Sequence, residues 1–453
     1  MLTVPPSGNP AAAAERPTTV DAPGGQVALG AAATLWVYLI VKYLRQRIIL
    51  SFDTANNYAH VWYVADRIWG HGRLPLRMPV LGSGRAFAFP YGFIPWVTAA
   101  LLRPVLGDWV VGLWMVIGAA GMIGGTFFAF PELRKGWWAA AVLLNPAIIE
   151  GLLFGQLTFE WAGALVLFGV GCWRRNKRLA AVLLVGAGQA THPAIVLPMT
   201  GLLVAGWWYF EPDRRALVRC YLWSTVVALP AAVIVFASPT ASDATWRDIL
   251  LNFIGTLAPR SCLLAVPVIL TAAIHYRHHL PRYQPALAPF LLTLVLLVNA
   301  GVQVPLRVGT SWRWLHRRTD AASSMEKFLA SGHFQKDKTY RVLRNGDVKF
   351  GMYRLLQAGG KLDSEFFPES QAIRSFRSTA SYEQLLCVRR VDYVLAFASY
   401  DRRQKTNEHQ LLSELAKRSR EAPGDLVRVR SVSDSPTVEQ FAVDRTGCPR
   451  KSA

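Results

Sequence analysis

Charge is scarce in this chain. Of its 453 residues 17% are charged and 52% hydrophobic, and the mean hydropathy is +0.24. Soluble domains carry about 25% charged residues. Several apolar stretches approach the ~20 residues needed to cross a bilayer. The composition therefore points away from a soluble enzyme and toward a polytopic helical membrane protein. Cysteine is scarce as well. The five present show neither a CxxC pair nor the Cys/His spacing of a metal site. Cys172, Cys220 and Cys262 fall in or beside apolar segments. Cys387 and Cys448 fall in the polar C-terminal part, where an oxidising space would let them pair; the sequence gives no distance and leaves the pairing open. No internal repeat is visible, which argues against a transporter built from repeated halves. The first 25 residues are rich in Pro, Ala and Gly, lack the Lys/Arg region of a cleaved signal peptide, and read as a disordered tail.

Acidic residues are outnumbered. There are 29 Asp and Glu against 49 Lys and Arg, giving a net charge of +20 and a pI near 10.1. In a soluble protein this would suggest nucleic acid. Here many basic residues occupy short turns between apolar runs, so anionic membrane lipid is the expected partner and nucleic acid is not. The 16 tryptophans read as an interfacial belt.

The turns set the topology. A first span covers roughly 26–44, followed by a loop over 45–89 and a weaker apolar piece over 90–106 broken by Pro95 and Arg103-Pro104. Stronger segments lie at about 109–130, 137–154, 157–173, 179–193, 195–210, 218–238, 259–276 and 284–300. The connectors Glu132-Leu133-Arg134-Lys135, Arg174 to Arg178, Asp213-Arg214-Arg215 and Arg277-His278-His279 are basic and belong in the cytoplasm. All four fall inside only if 90–106 is a re-entrant or surface helix, which gives nine crossings and an external C-terminus. From about residue 305 charge becomes dense. Tyr340–Leu343 and Asp392–Phe397 read as strands, and Asn407–Arg418 as an amphipathic helix with Leu411, Leu412 and Leu415 inward. The tail beyond Ser431 reads as loose. The expected fold class is an all-α polytopic membrane protein of about nine transmembrane helices with a small C-terminal α+β domain. Its parts are a tail over 1–25, a transmembrane domain over 26–304 and an extracytoplasmic domain over 305–453.

Candidate chemistry gathers in the first loop. Asp53 directly follows the first span. On a helical wheel Asp53, Asn57, His60 and Arg67 share one side, and Tyr58, Val61, Trp62, Ala65, Ile68 and Trp69 the other. This describes an interfacial helix with its polar face above the membrane. There a carboxylate can act on a lipid headgroup; equally it can anchor a helix leaving the bilayer. Asp66 lies off the stripe. Arg67, Arg73, Arg77 and Arg85 suit a lipid phosphate, whether a substrate's or the bilayer's own. Glu160 lies one turn into an apolar segment, where acids are usually functional or paired. With Gln156, His192 and Asp53 it forms either a shared polar pocket or a helix-packing network. His192-Pro193 marks the outer end of a tight helix pair.

The order Asp53, His60, Gly72-Arg73-Leu74-Pro75 and Phe89-Pro90-Tyr91-Gly92 resembles the first external loop of the GT-C superfamily of integral-membrane glycosyltransferases. The last element is a scrambled form of that family's F-Y-P-P segment. Leu144-Asn145-Pro146 with Phe154-Gly155-Gln156 is similar to the N-P and G-Q region of polyprenyl-phosphate-sugar-dependent mannosyl- and arabinosyltransferase-like proteins. The similarity covers about residues 26–210. It implies sugar transfer from a polyprenyl-phosphate donor to a cell-envelope glycan, lipid or protein acceptor at the outer face. In that reading Asp53 is the general base on the acceptor hydroxyl or a metal ligand, and the loop arginines, His60, Gln156, Glu160 and His192 bind substrate. The chain departs from the family in lacking an acidic neighbour beside Asp53, with Glu150 and Glu160 as the only later candidates. The cofactor therefore stays unknown, with a divalent cation left open. A flippase or transporter for lipid-linked saccharides, or a non-catalytic scaffold in envelope assembly, is the alternative.

Overall fold

The computed structural model describes residues 23–46, 49, 53–82, 85–86, 93–134, 136–208, 211, 213–236, 312, 320–343, 349–363, 378–397, 407–421, 426–434 and 438–449. The proposed tail up to residue 22, the segments 259–276 and 284–300 and the connector Arg277-His278-His279 lie outside these residues. The described part is mostly helical with a small mixed sheet.

The helical part contains α1 (Pro23–Arg45), α2 (Thr54–His71), α3 (Phe93–Leu106), α4 (Trp109–Ala129), α5 (Gly136–Leu143), α6 (Pro146–Phe154), α7 (Leu157–Arg174), α8 (Arg178–Thr191), α9 (Pro193–Trp207) and α10 (Arg214–Phe236). Gly24–Arg45 of α1 and all of α4 are long and apolar enough to cross a membrane; α3 and α8 are apolar but shorter. At 1.5 Å per residue the 14-residue α3 spans only about 21 Å. The segment 137–154 does not run through as one helix. Asn145 ends it, its side chain accepting from the Ala147 amide with Pro146 in the first turn of α6. A capping Asn followed by Pro starts a new helix more readily than it continues an old one.

Small residues set the closest packing. A Cβ on Gly125 of α4 would stand 2.9 Å from Leu167 Cβ, so only glycine lets α7 approach this closely. Indole hydrogen bonds tie the same layer, from Trp161 Nε1 to Trp114 O at 2.9 Å and from Trp114 Nε1 to Thr98 Oγ1 at 2.8 Å.

Three basic connectors meet at one end of these helices. Arg174 donates to Glu132 at 2.8 Å and to the Ala129 carbonyl, Arg178 pairs with Asp213 at 3.2 Å, and Trp173 and Trp207 both donate to Glu211. The 21 residues of α4 carry the chain about 31 Å from this end to the end that begins at Asp108.

The C-terminal part adds α11 (Asp320–Ala330), β3 (Thr339–Leu343), α12 (Lys349–Gln357), β4 (Lys361–Leu362), α13 (Thr379–Val388), β5 (Tyr393–Phe397), α14 (Glu408–Glu421), β6 (Arg428–Asp434) and β7 (Val438–Asp444). Strands and helix at 340–343, 393–397 and 408–418 agree with the sequence reading. The chain beyond Ser431 does not: it closes the β6–β7 hairpin with antiparallel pairing from Arg428–Asp444 to Asp434–Glu439. The sheet order is β4-β3-β5-β7-β6, with β3 parallel to β4 and β5, and β7 antiparallel to β5 and β6. Helices α12 and α13 lie between successive parallel strands, and the antiparallel β5–β7–β6 half makes the small sheet a mixed one. Alternation along the strands serves two cores. Tyr340, Val342, Leu395 and Phe397 join the core that continues into the helical part, and Leu343, Val394 and Ala396 face Tyr382, Leu412 and Leu415 of α13 and α14. Cys387 and Cys448 form a disulfide with a Cα separation of 5.6 Å, resolving a pairing that the sequence left open.

The first loop is joined to this sheet. It carries β1 (Arg77–Met78) paired with β2 (Arg85–Ala86). Between them Leu81 bridges Leu362 in parallel, with Leu362 N donating to Val80 O at 2.9 Å and Gly82 N to Leu362 O at 3.0 Å. Beyond α3, Asp108 accepts from Tyr353 Oη of α12 at 2.8 Å and from Arg103 at 3.0 Å. The stretches on both sides of α3 thus touch the same C-terminal domain.

Candidate functional site

The start of α2 is seated on the joint between α6 and α7. Gly155 ends α6 at φ +81°, a left-handed conformation that favours glycine. The Asp53 amide donates to Phe154 O at 3.0 Å, and Asn57 Nδ2 to Gly155 O at 2.7 Å. The carbonyls that α6 leaves without helical partners are therefore capped from another helix. Tyr43 Oη of α1 donates to Leu152 O in the same turn. Asn57 Oδ1 also accepts from Trp96 Nε1 of α3 at 2.9 Å, so one side chain links three elements. His60 stacks on Trp96 with ring centroids 3.8 Å apart, and its Nδ1 donates to Asn56 O at 2.8 Å.

This seating corrects the expected orientation of α2. The polar stripe does not face solvent above a membrane. Asn56, Asn57 and His60 are 3%, 3% and 4% exposed, and burial runs along the helix from Thr54 to Ala65. The stripe is an internal contact between α2, α3 and the α6–α7 joint. Only the far end emerges, with Trp69 59% exposed.

Asp53 stands at the mouth of this contact. It is half-buried, it precedes the first turn of α2, and its side chain does not cap that helix. The later candidates converge on the same end. Gln156 is half-buried at the start of α7; Glu160 is fully buried one turn further on. His192 is buried between α8 and α9, edge-on to Phe159 with ring centroids 6.5 Å apart. The loop arginines spread outward. Arg67 lies over the Tyr63 ring at 5.1 Å with Asp66 3.8 Å away, and Arg73 and Arg77 are exposed. Arg85 contributes its backbone to β2; its side chain lies outside the described residues.

Sequence reasoning placed Asn57 on the polar stripe without naming its partners and gave no role to Trp96 or Tyr43, which with it build the contact. The Asn56-Asn57 pair inside a largely apolar helix was the available signal, since amides there need partners. Among the described residues no three His, Cys, Asp or Glu side chains converge as a metal site. No protein-family model matches the chain, and no curated protein does.

Proposed function

We propose that this chain is a multi-pass membrane glycosyltransferase of GT-C-like architecture. It transfers a sugar from a polyprenyl-phosphate donor to an envelope glycan, lipid or protein acceptor at the outer face. The observation that carries the reading is the hydrogen-bonded seating of Asp53 and Asn57 on Phe154 and Gly155. The two sequence regions that resemble the family are about 100 residues apart, and they meet at one end of the helices.

Two further observations support the orientation. The basic connectors gather at the other end of α4, as cytoplasmic turns do. The C-terminal domain, which touches the Asp53 end through Leu362 and Tyr353, carries a disulfide of the kind that persists in oxidising compartments. A short α3 flanked on both sides by contacts to that domain suits a re-entrant or surface helix. With α3 outside the crossing count, the basic ends stay in the cytoplasm.

The chemistry follows from position. The acceptor hydroxyl attacks the anomeric carbon, a carbon–oxygen bond forms to the acceptor, and the bond to the donor phosphate breaks. Asp53 takes the hydroxyl proton. The departing polyprenyl phosphate carries the negative charge, which exposed Arg73 and Arg77 offset from the adjoining loop. His60, Asn57 and Trp96 hold α2 in place and thereby fix where Asp53 stands.

The test is transfer of radiolabelled sugar from polyprenyl-phosphate mannose or arabinose to a membrane extract, with purified protein in lipid. Asp53→Asn should lower transfer by about 10²–10⁴-fold, the usual contribution of a general base, at unchanged abundance and melting temperature. Equal transfer by the two proteins removes Asp53 from the mechanism. No transfer by either, with folded protein, moves the reading to another donor and then to the scaffold or transporter.

A further inference from the structure

The α6–α7 joint holds a surplus of buried oxygen acceptors. Glu160 is 0% exposed, and neither of its carboxylate oxygens has a hydrogen-bond partner among the described residues. Gln156 Oε1, one turn earlier, is also buried and without a partner. The Glu160 amide donates to the Gln156 carbonyl at 3.1 Å, so the two side chains rise from successive turns of one helix face. The carboxylate packs against Gly151 of α6, where a Cβ would stand 3.1 Å from Glu160 Oε1. The Tyr43 hydroxyl donates to Leu152 O, next to Gly151 in the same turn of α6, and keeps its oxygen lone pairs. The carbonyl end of α6 adds to the negative potential. None of the described ion pairs brings a lysine or arginine to Glu160.

An isolated charge in such surroundings is costly unless something neutralises it. A proton supplies one donor for three orphaned oxygens, whereas a metal cation takes several oxygen ligands at once. Hard oxygen ligands suit alkali and alkaline-earth ions. One carboxylate balances one positive charge; a divalent ion would leave an excess charge in a dry interior. We propose that the α6–α7 joint binds a monovalent alkali cation, held by the Glu160 carboxylate, the Gln156 amide oxygen and the Tyr43 hydroxyl oxygen. The bound ion would brace the joint on which Asp53 rests. The proposal goes beyond sugar transfer and does not depend on it.

The experiment reads unfolding rather than activity. Purified full-length protein in detergent is melted by tryptophan fluorescence at equal ionic strength in sodium, potassium, choline or magnesium chloride. The wild type should gain melting temperature, saturably, in sodium or potassium relative to choline, as a ligand of the native state requires. Glu160→Gln should melt cooperatively with no such dependence. Gln156→Ala loses one neutral ligand and should raise the half-saturating salt concentration by about tenfold. Equal melting of the wild type in sodium, potassium and choline overturns the site and leaves a protonated acid in its place. A sodium response that survives in Glu160→Gln places the ion elsewhere and also overturns it. A response to magnesium alone overturns the monovalent assignment.

Discussion

The helical part and the C-terminal sheet each bury an ionisable side chain, and they treat it in opposite ways. In the sheet domain, Arg341 on β3 is 4% exposed and is met on both sides. It donates to Asp363 at 2.6 Å, just past β4, and to both oxygens of Glu408 at 2.7 and 2.8 Å, at the start of α14. Burial opposes the guanidinium charge, but the two carboxylates outweigh it and hold the pKa above the ordinary arginine range. The cluster ties three elements together and reads as architecture. In the helical part Glu160 is just as buried, with both oxygens unpartnered among the described residues. A domain able to neutralise a buried guanidinium shows that the chain can build such a pair. The contrast is the ground of the cation site proposed for Glu160: the chain pairs its buried guanidinium, and no described side chain pairs this carboxylate.

That contrast can be tested from the sheet side first. Arg341→Met leaves two buried carboxylates facing each other and should cost about 3–5 kcal/mol, read as a lower denaturation midpoint of the full-length protein. Replacing Asp363 and Glu408 by Leu in the same chain should return most of it, since well-packed apolar groups often substitute for a buried ion cluster. If Arg341→Met alone stays within about 1 kcal/mol of wild type, the cluster is not architectural. Cys387→Ser comes next. Opening a disulfide with a sequence separation of 61 should cost about 2–4 kcal/mol, and only in non-reducing buffer. An equal melting temperature with and without reductant in the wild type would show that the bridge adds nothing.

The smallest expected effect lies in the helical part. Asn57→Ala leaves the Trp96 indole N–H and the Gly155 carbonyl without their partner and should cost about 1–3 kcal/mol. Because the same bonds seat α2, sugar transfer should fall further than stability does. A variant that loses stability but keeps full transfer would separate the contact from the site.

How much of this could be read beforehand depended on the range of the signal. Local patterns were legible: the short apolar strand at 393–397, the helix with Leu411, Leu412 and Leu415 inward, and the helix pair meeting at His192-Pro193. The break at Asn145-Pro146 was printed in the sequence as a cap followed by a proline, but a hydropathy window averages across it. Period alone identified the α2 stripe correctly as one face and then assigned it to solvent. Periodicity gives the face, not the medium it meets, and polar faces turn inward when neighbouring helices offer partners. The β6–β7 hairpin escaped because the stretch beyond Ser431, rich in Ser and Asp with a proline, reads as loose, although Val427, Arg428, Val429 and Arg430 before it alternate as a strand does. Nothing local announces the pairing of Leu81 with Leu362, since neither two-residue neighbourhood is a strand by itself.

That last pairing has a consequence for synthesis. Residue 81 must wait for a partner about 280 residues downstream, and at 5–20 residues per second the delay is roughly 15–55 s. For that interval Leu81 has only the β1–β2 pairing within its own loop beside it, and the helices after it fold around an unfinished element. The Asp53 loop is made about 280 residues ahead of the partner that completes it, and reaches its final shape only after that partner has been made.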